Sequence, residues 1–343
     1  MEAWWSDLSA NDTFACGIGG LQDQVYCWGE GTNGQVGDPL KSDVNSVALL
    51  VPDIGGATSI ATGTNHACAT LKDWTDDGLY CWGDNTYGQL GNQPDGGGPW
   101  EGLNESTPAF VDDTEATTTV GVGTDHTCAI VDDQVLCWGY NQFGQLGASQ
   151  NVILTNDISA EAITVVTSND VALSGMDLLA VGGAFNCAAK SGTDEVYCWG
   201  ANAYGQIGIG NPDVVSVIAQ ATKIPAPSVG ANVTHLSAGN QHACFATDAG
   251  FVSCWGQGDF GRLGIGSEDH KNIPTKVTAI AAPDGGGVTI HALQAGPANT
   301  CAMVEGVHPG AGMEMMCWGK NGAAQVGNGT HSSATPTIVD LGF

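Results

Sequence analysis

The chain has 343 residues, of which 42% are hydrophobic and 51 are glycine. This composition supports a large buried core and excludes a disordered acidic chain. There are 36 acidic side chains and only 8 basic ones, which gives a formal net charge of −28. We therefore expect no nucleic acid partner, because such a surface repels phosphate. No apolar stretch is long enough to span a bilayer, and the N-terminal residues do not resemble a signal peptide.

A tripeptide, Cys-Trp-Gly, recurs along the whole chain. Its copies begin at Cys27, Cys81, Cys137, Cys198, Cys254 and Cys317. Each copy is followed by a turn such as Tyr87-Gly88-Gln89-Leu90-Gly91, which becomes Phe260-Gly261-Arg262-Leu263-Gly264 in the fifth repeat. Chain length alone would suggest two domains, but internal repetition along the whole chain indicates a single repeat architecture.

A second cysteine in a short apolar run precedes each tripeptide. These cysteines are Cys16, Cys68, Cys128, Cys187, Cys244 and Cys301. Turn residues such as Asp76-Asp77-Gly78 separate the two cysteines, which predicts two short strands joined by a tight turn. A Pro-led segment such as Thr107-Pro108-Ala109-Phe110-Val111 lies upstream. Each repeat therefore holds about four short strands, the content of one propeller blade.

The pattern as a whole resembles the repeat of the regulator-of-chromosome-condensation family. The resemblance is carried by Trp82-Gly83-Asp84-Asn85-Thr86-Tyr87-Gly88-Gln89-Leu90-Gly91, with Gly63-Thr64-Asn65-His66 upstream, and it recurs over nearly the whole chain. It departs from the family in the fourth repeat, where Asn186 is taken to replace the histidine, and at Ala298-Asn299-Thr300. The resemblance implies a β-propeller, and we count six repeats where the best-known members have seven blades.

We therefore predict an all-β protein with one domain, residues 1–343, that forms a six-bladed β-propeller of four-stranded blades. The repeats are centred on Cys16–Gly37, Cys68–Gly91, Cys128–Gly147, Cys187–Gly208, Cys244–Gly264 and Cys301–Gly327. The chain ends on an upstream strand without its hairpin and begins with a hairpin without its upstream strand. We expect the C-terminal strand, residues 335–343, to complete the first blade and close the ring, since this removes an exposed sheet edge.

The twelve cysteines form six pairs, one in each repeat. Cysteines that face each other in an antiparallel hairpin come within bridging distance. We predict Cys16–Cys27, Cys68–Cys81, Cys128–Cys137, Cys187–Cys198, Cys244–Cys254 and Cys301–Cys317, with a row of reduced buried thiols as the alternative. Disulfides persist in oxidising compartments, so we expect a secreted or cell-surface protein, extracellular or periplasmic, whose signal peptide is not part of this sequence.

The sequence contains no catalytic constellation and no cluster at metal-ligand spacing. The resemblance implies that His66, His126 and His242 pack between blades. We expect no cofactor. Calcium is a weak alternative at Asp73-Trp74-Thr75-Asp76-Asp77-Gly78, which we interpret as a hairpin turn. Partner contacts are expected at Trp100 in a Gly- and Pro-rich loop, and at mouth residues Asn65, Asp125, Phe185 and Gln241.

The leading hypothesis is a binding module rather than an enzyme. It would be an extracellular recognition or scaffold propeller that binds a protein or a surface glycan through loops on one face, as an inhibitor or an adhesion module does. The resemblance also allows a regulator of a small GTPase or a chromatin-associated factor, as in the family's namesake. An enzyme with its site in the central channel is a third alternative.

Overall fold

A computed structural model of the protein describes residues 5–40, 44–72, 77–92, 104–149, 157–210, 216–225, 231–308, 312–327 and 332–339. The chain divides into two compact units, Met1–Gly175 and Met176–Phe343. Short runs rich in Val, Ile, Ala and Cys alternate with Gly and Asp turns, and this pattern produces strands throughout. The helical residues among those described are a single 3-10 turn, Asp259–Gly261.

The first unit contains twelve strands. They are β1 (Trp5–Ala10), β2 (Phe14–Gly19), β3 (Gln24–Glu30), β4 (Val44–Leu50), β5 (Ala57–Thr62), β6 (His66–Leu71), β7 (Gly78–Gly83), β8 (Glu105–Phe110), β9 (Thr117–Val122), β10 (His126–Val131), β11 (Gln134–Tyr140) and β12 (Ile158–Thr164).

The second unit contains the other twelve. They are β13 (Leu178–Val181), β14 (Phe185–Ala189), β15 (Val196–Ala201), β16 (Val217–Lys223), β17 (Val233–Ala238), β18 (His242–Thr247), β19 (Val252–Gly256), β20 (Lys271–Lys276), β21 (Thr289–Ala295), β22 (Asn299–Glu305), β23 (Met313–Gly319) and β24 (Ser333–Ile338).

Each sheet joins four consecutive strands, and every pairing is antiparallel. The six sheets are the blades of a six-bladed β-propeller, as predicted from the repeats. Three blades belong to each unit.

The expected sharing of one blade by the two chain ends is wrong. The C-terminal strand β24 pairs with β23 of its own blade, where Thr337 lies opposite Cys317. The first blade obtains its first strand from β1, where Ser9 lies opposite Cys16. The sequence interpretation missed β1 because its residues are mostly exposed and carry little apolar alternation.

The second and third strands of every blade are joined by one disulfide. The six bridges are Cys16–Cys27, Cys68–Cys81, Cys128–Cys137, Cys187–Cys198, Cys244–Cys254 and Cys301–Cys317, the pairs expected from the sequence. In each, the two cysteines are register partners with Cα atoms 4.1 Å apart, for example Cys128 and Cys137. Bridges of this number indicate an oxidising environment.

The core of each unit lies between neighbouring blades. In the first unit, Trp82 of the second blade packs into a cluster with Phe14, Ile18 and Val25 of the first blade. In the second unit, Trp255 of the fifth blade packs in the same way against Phe185 and Val196 of the fourth. Burial of a fully enclosed indole is a large apolar contribution, so these tryptophans contribute strongly to the packing between blades.

Candidate functional site

Two loops of each blade emerge at the same end of its sheet. The second strand begins where the third strand ends, since His66 lies opposite Gly83 and Phe185 lies opposite Gly200. The loop before the second strand and the loop after the third strand are therefore neighbours. We call the surface that these loops form within each unit the loop face.

A glutamine holds the loop after the third strand in five of the blades. Its side-chain oxygen accepts a hydrogen bond from the backbone N–H two residues earlier, at 2.8–2.9 Å. The donors are Asn33, Tyr87, Phe143, Tyr204 and Ala323, bound to Gln35, Gln89, Gln145, Gln206 and Gln325. The glutamines thus have a structural role in these loops.

The backbone carbonyl at the glutamine position of the loop joins one blade to the next. The indole N–H of Trp82 donates to the carbonyl of Gln35 at 2.9 Å, and Trp138 donates to Gln89 at 3.0 Å. In the second unit, Trp318 donates to the carbonyl of Arg262 at 2.9 Å. These bonds satisfy a buried donor in an otherwise apolar interface.

The fifth blade has no glutamine at this position. Arg262 stands at the glutamine position, and a guanidinium can only donate. Its Nε donates to the carbonyl oxygen of Asp259 at 3.0 Å. In the other loops a backbone N–H faces the glutamine side chain, whereas here a backbone carbonyl faces the side chain of Arg262. The peptide is turned over, and Phe260 adopts φ of 60°. Gly258 replaces the loop asparagine found as Asn85 in the second blade, and a Cβ at this position would clash with the carbonyl oxygen of Asp269.

Phe260 is consequently a strained residue with an exposed ring. Its side chain is 45% exposed, and positive φ is rare for a bulky residue. The guanidinium carbon of Arg262 and the Nζ of Lys320 each lie 5.8 Å from the ring centroid. Burial lowers the pKa of Arg262, while Asp259 and then Tyr204 raise it.

The histidines of the second and fifth blades are buried between blades. The Nε2 of His66 lies 2.9 Å from Thr127 Oγ1, which donates to the carbonyl of Gln89 at 2.7 Å. Because the threonine has one hydroxyl proton, His66 must donate from Nε2. Its Nδ1 is buried without a hydrogen-bond partner. Burial, and then His126, lower the pKa of His66 to about 3. His66 is therefore a neutral residue that packs between the blades.

The residues predicted to contact a partner differ in their burial. Asn65, Asp125 and Gln241 are half-buried on the loop face of their units. Phe185 is fully buried in the core of the second unit, so its prediction as a partner contact is wrong. Trp100 and residues 73–76 of the calcium alternative lie outside the described residues.

Phe185 also corrects the alignment of the fourth repeat. It lies opposite Gly200, as His66 lies opposite Gly83, so Phe185 and not Asn186 occupies the histidine position. The sequence interpretation was misled because asparagine is a closer chemical substitute for histidine than phenylalanine is.

An acidic and aromatic corner lies on the loop face of the first unit. The rings of Tyr87 and Tyr140 are 4.5 Å apart between centroids. Partial burial, and then the nearby Asp84, raise the pKa of Asp125. Within the described part of the chain, no group of three or more His, Cys, Asp or Glu side chains is arranged to hold a metal ion. Nor does any helix in that part have the length and hydropathy to cross a membrane.

The second unit has a shallow pocket of about 290 Å³ between its first two blades. It is lined by Asn202, Ala203, Tyr204, Gly205, Ile209, His270 and Asn272. The rings of Tyr204 and His270 meet edge to face, with centroids 5.2 Å apart. The sequence interpretation missed this pocket, because no motif links a tyrosine of one repeat to a histidine of the next.

The fold and these loops define a propeller built from sequence repeats. Comparison with known proteins identifies the family to which the repeats belong. The regulator of chromosome condensation (RCC1) repeat model matches residues 76–130, 193–246 and 250–293. A second model of the same repeat matches residues 57–89, 118–145 and 233–262. Together the two models span more than half of the chain. The protein belongs to the regulator of chromosome condensation repeat family.

Individual relatives share this architecture at low sequence identity. The chain is 24% identical over 329 residues to the E3 ubiquitin-protein ligase HERC2 of Homo sapiens, covering 93% of this chain and 6% of the relative. It matches the crystal structure of human WBSCR16 with a TM-score of 0.80 at 17% identity, covering 100% of this chain and 84% of that one. Prp20p of Saccharomyces cerevisiae, whose structure was described together with its binding to Gsp1p and histones, gives a TM-score of 0.74 at 17% identity, covering 97% and 76% of the two chains.

The chain spans less than half the length of the curated relatives it matches. At 17% identity, the similarity to Prp20p concerns the fold.

Proposed function

We propose that this chain is an extracellular recognition propeller that binds another protein through its loop face, in the manner of an inhibitor or an adhesion module. The extracellular part of the proposal rests on the six disulfides, because such bridges do not persist in a reducing cytosol. The net charge of −28 suits a basic or neutral partner and disfavours nucleic acid.

Phe260 is the observation that carries the proposal. Its backbone strain is of the order of 1–3 kcal/mol, and strain of this kind persists where the surrounding structure holds it in place. Here Arg262 holds the loop, and Phe260 is 45% exposed on the loop face. Aromatic residues, phenylalanine among them, are enriched at the centres of protein interfaces. A displayed and pre-organised phenylalanine is therefore a suitable anchor.

A photo-crosslinking experiment tests this proposal. Benzoylphenylalanine replaces Phe260 in one protein and Leu21 in another; Leu21 is 90% exposed and lies in the turn between β2 and β3, at the opposite end of its blade. After irradiation in culture medium and in cell-envelope extract, position 260 is expected to give adducts with one discrete protein, and position 21 none. Equal adducts from both positions, or no adduct at position 260, would overturn the proposal.

Substitution adds a matched comparison. Phe260→Ala should weaken capture of that protein by at least about tenfold, the scale of an interface hot spot. Phe143→Ala removes a ring that is 40% exposed at the same loop position of the third blade, and it should change capture by less than about twofold.

The similarity to Prp20p favours a second candidate, regulation of a small GTPase. The six disulfides count against it, since they indicate an oxidising compartment. A thiol assay separates the two: the extracellular proposal expects no reactive thiol in native protein, whereas free thiols would favour the GTPase role.

A further inference from the structure

The pocket between the fourth and fifth blades offers a chemistry that protein recognition does not require. We propose that it binds one neutral sugar ring of an oligosaccharide. Its volume of about 290 Å³ is at the lower end for ligand sites, so it suits a single ring of a larger ligand rather than a whole cofactor.

The aromatic part of the pocket consists of two rings in contact. The rings of Tyr204 and His270 are inclined at 85°, with centroids 5.2 Å apart, an edge-to-face arrangement that aromatic pairs favour. Tyr204 is half-buried, which leaves part of its ring accessible from the pocket. The C–H groups of a pyranose ring pack on such a surface through dispersion and through the aromatic quadrupole.

The hydrogen-bonding part of the pocket has a defined polarity. The backbone N–H of Gly258 donates to Nδ1 of His270 at 3.1 Å. In the neutral imidazole the proton is then on Nε2, which makes exposed His270 a donor toward a ligand. The hydroxyl of Tyr204 can both donate and accept. Sugar hydroxyls have the same dual capacity, so one ring hydroxyl can accept from His270 while another bonds Tyr204.

The charges of the pocket favour a neutral ligand. None of the described residues that line it is Asp, Glu, Lys or Arg. The rest of the protein has a net charge of −28 and repels anions. Binding of a neutral ring should therefore be insensitive to ionic strength, whereas a cationic ligand would lose affinity as salt screens its attraction to the acidic protein.

Calorimetry and saturation-transfer NMR test the proposal on the full chain. The probes are neutral oligosaccharides with terminal glucose, galactose, mannose or N-acetylglucosamine. At least one should bind, with an affinity that changes less than about twofold between 0.05 and 0.5 M salt. If none binds at millimolar concentration, or if the affinity falls steeply with salt, the proposal is wrong.

Two matched tyrosines locate the site. Tyr204→Ala should lower sugar affinity by at least about tenfold, and Tyr204→Trp should largely retain it. Tyr87→Ala changes the same loop position of the second blade, where the ring packs on Tyr140, and should leave affinity unchanged. Sugar binding that survives Tyr204→Ala in a folded, fully oxidised protein would overturn the assignment. Because the probes are free saccharides, failure here does not affect the proposal for Phe260.

Discussion

The imidazole of His66 and the hydroxyl of Thr127 lie 2.9 Å apart across the boundary between the second and third blades. His242 and Thr300 form the same pair in the second unit, at 2.8 Å. In both cases the threonine hydroxyl donates a hydrogen bond to a backbone carbonyl of the preceding blade, at Gln89 or Arg262. One polar chain therefore crosses each of these boundaries.

At two other boundaries, apolar residues occupy the same two positions. Phe14 and Ala67 belong to one buried cluster, and Phe185 and Ala243 belong to another. Polar residues thus pair with polar ones and apolar with apolar. The pairing follows from burial, since an unpaired polar group in this interface is unfavourable by about 1–3 kcal/mol.

This pairing predicts strong coupling between the two positions. His66→Phe alone leaves the Thr127 hydroxyl facing an apolar ring and should destabilise the protein by about 2 kcal/mol. His66→Phe with Thr127→Ala recreates the Phe14–Ala67 arrangement and should recover at least about 1 kcal/mol. Guanidinium unfolding of both single variants and the double variant measures the coupling. Additive losses would contradict the prediction.

The buried histidines predict a loss of stability in mild acid. The pKa of His66 and of His242 falls from 6.5 to about 3 on folding, mainly through burial. Below pH 6.5 the unfolded chain therefore binds protons that the native state does not, and the stability present above pH 6.5 declines as pH falls toward 3. The slope approaches about 1.4 kcal/mol per pH unit for each histidine.

Unfolding by denaturant at several pH values between 7 and 5 measures this slope. The variant with His66→Phe and Thr127→Ala lacks one of the two histidines and should show about half the contribution. An unchanged slope in that variant would mean that other groups cause the acid sensitivity.

Asp125 predicts an effect of the opposite sign. Partial burial and Asp84 raise the pKa of Asp125, so its ionised form is unfavourable in the folded state at neutral pH. Asp125→Asn should stabilise the protein by about 0.5 kcal/mol at pH 7, a value reduced for solvent screening. The gain should disappear in acid, where the aspartate is protonated. Glu161→Gln, at an exposed position of the same unit, should show no gain at either pH.

Arg262→Gln should restore the ordinary loop of the fifth blade. A glutamine oxygen at this position can accept from the N–H of Phe260, as Gln206 does from Tyr204. The peptide then returns to its usual orientation, φ of Phe260 becomes negative, and stability rises by about 1 kcal/mol. A crystal structure and thermal unfolding measure both changes. If φ of Phe260 stays positive, Arg262 is not the cause of the strain.

Removal of disulfides should cost stability according to loop length. Each bridge is worth about 3 kcal/mol in the chain-entropy description. Cys301 and Cys317 are separated by 16 positions and Cys128 and Cys137 by 9, so replacing the first pair with alanine should cost about 0.5 kcal/mol more. Unfolding of the two double variants gives the comparison.

Peptide mapping of native protein should find every bridge within its own blade.

The repeats made most of the fold predictable from sequence. Six copies of one spacing identify the strands, the blades and the cystine pairs, because each copy is local and independent of the others. The first strand could not be predicted in this way, since Trp5–Ala10 packs as an exposed edge with no apolar period. Phe185 was misassigned for a related reason: a buried phenylalanine and an exposed one look alike in a single sequence.

The candidate sites were less predictable because they arise from exceptions to the repeat. Arg262 is visible in the sequence as a departure from glutamine, but its effect on Phe260 depends on which atom of a peptide faces position 262. The pocket at Tyr204 needs a histidine 66 positions away that lies in another blade. The first relationship depends on the orientation of a peptide and the second on contact between two repeats, and the sequence pattern shows neither.

The placement of each cystine within a single hairpin has a consequence for how the protein matures. Partners 9 to 16 positions apart meet far more readily than cysteines of different repeats, because closing a short loop loses less entropy. Oxidation can therefore proceed as successive hairpins emerge during synthesis, with no need to wait for the whole chain. A repeat that has already oxidised then removes its two thiols from the pool of wrong partners, so twelve cysteines do not lead to a scrambled product.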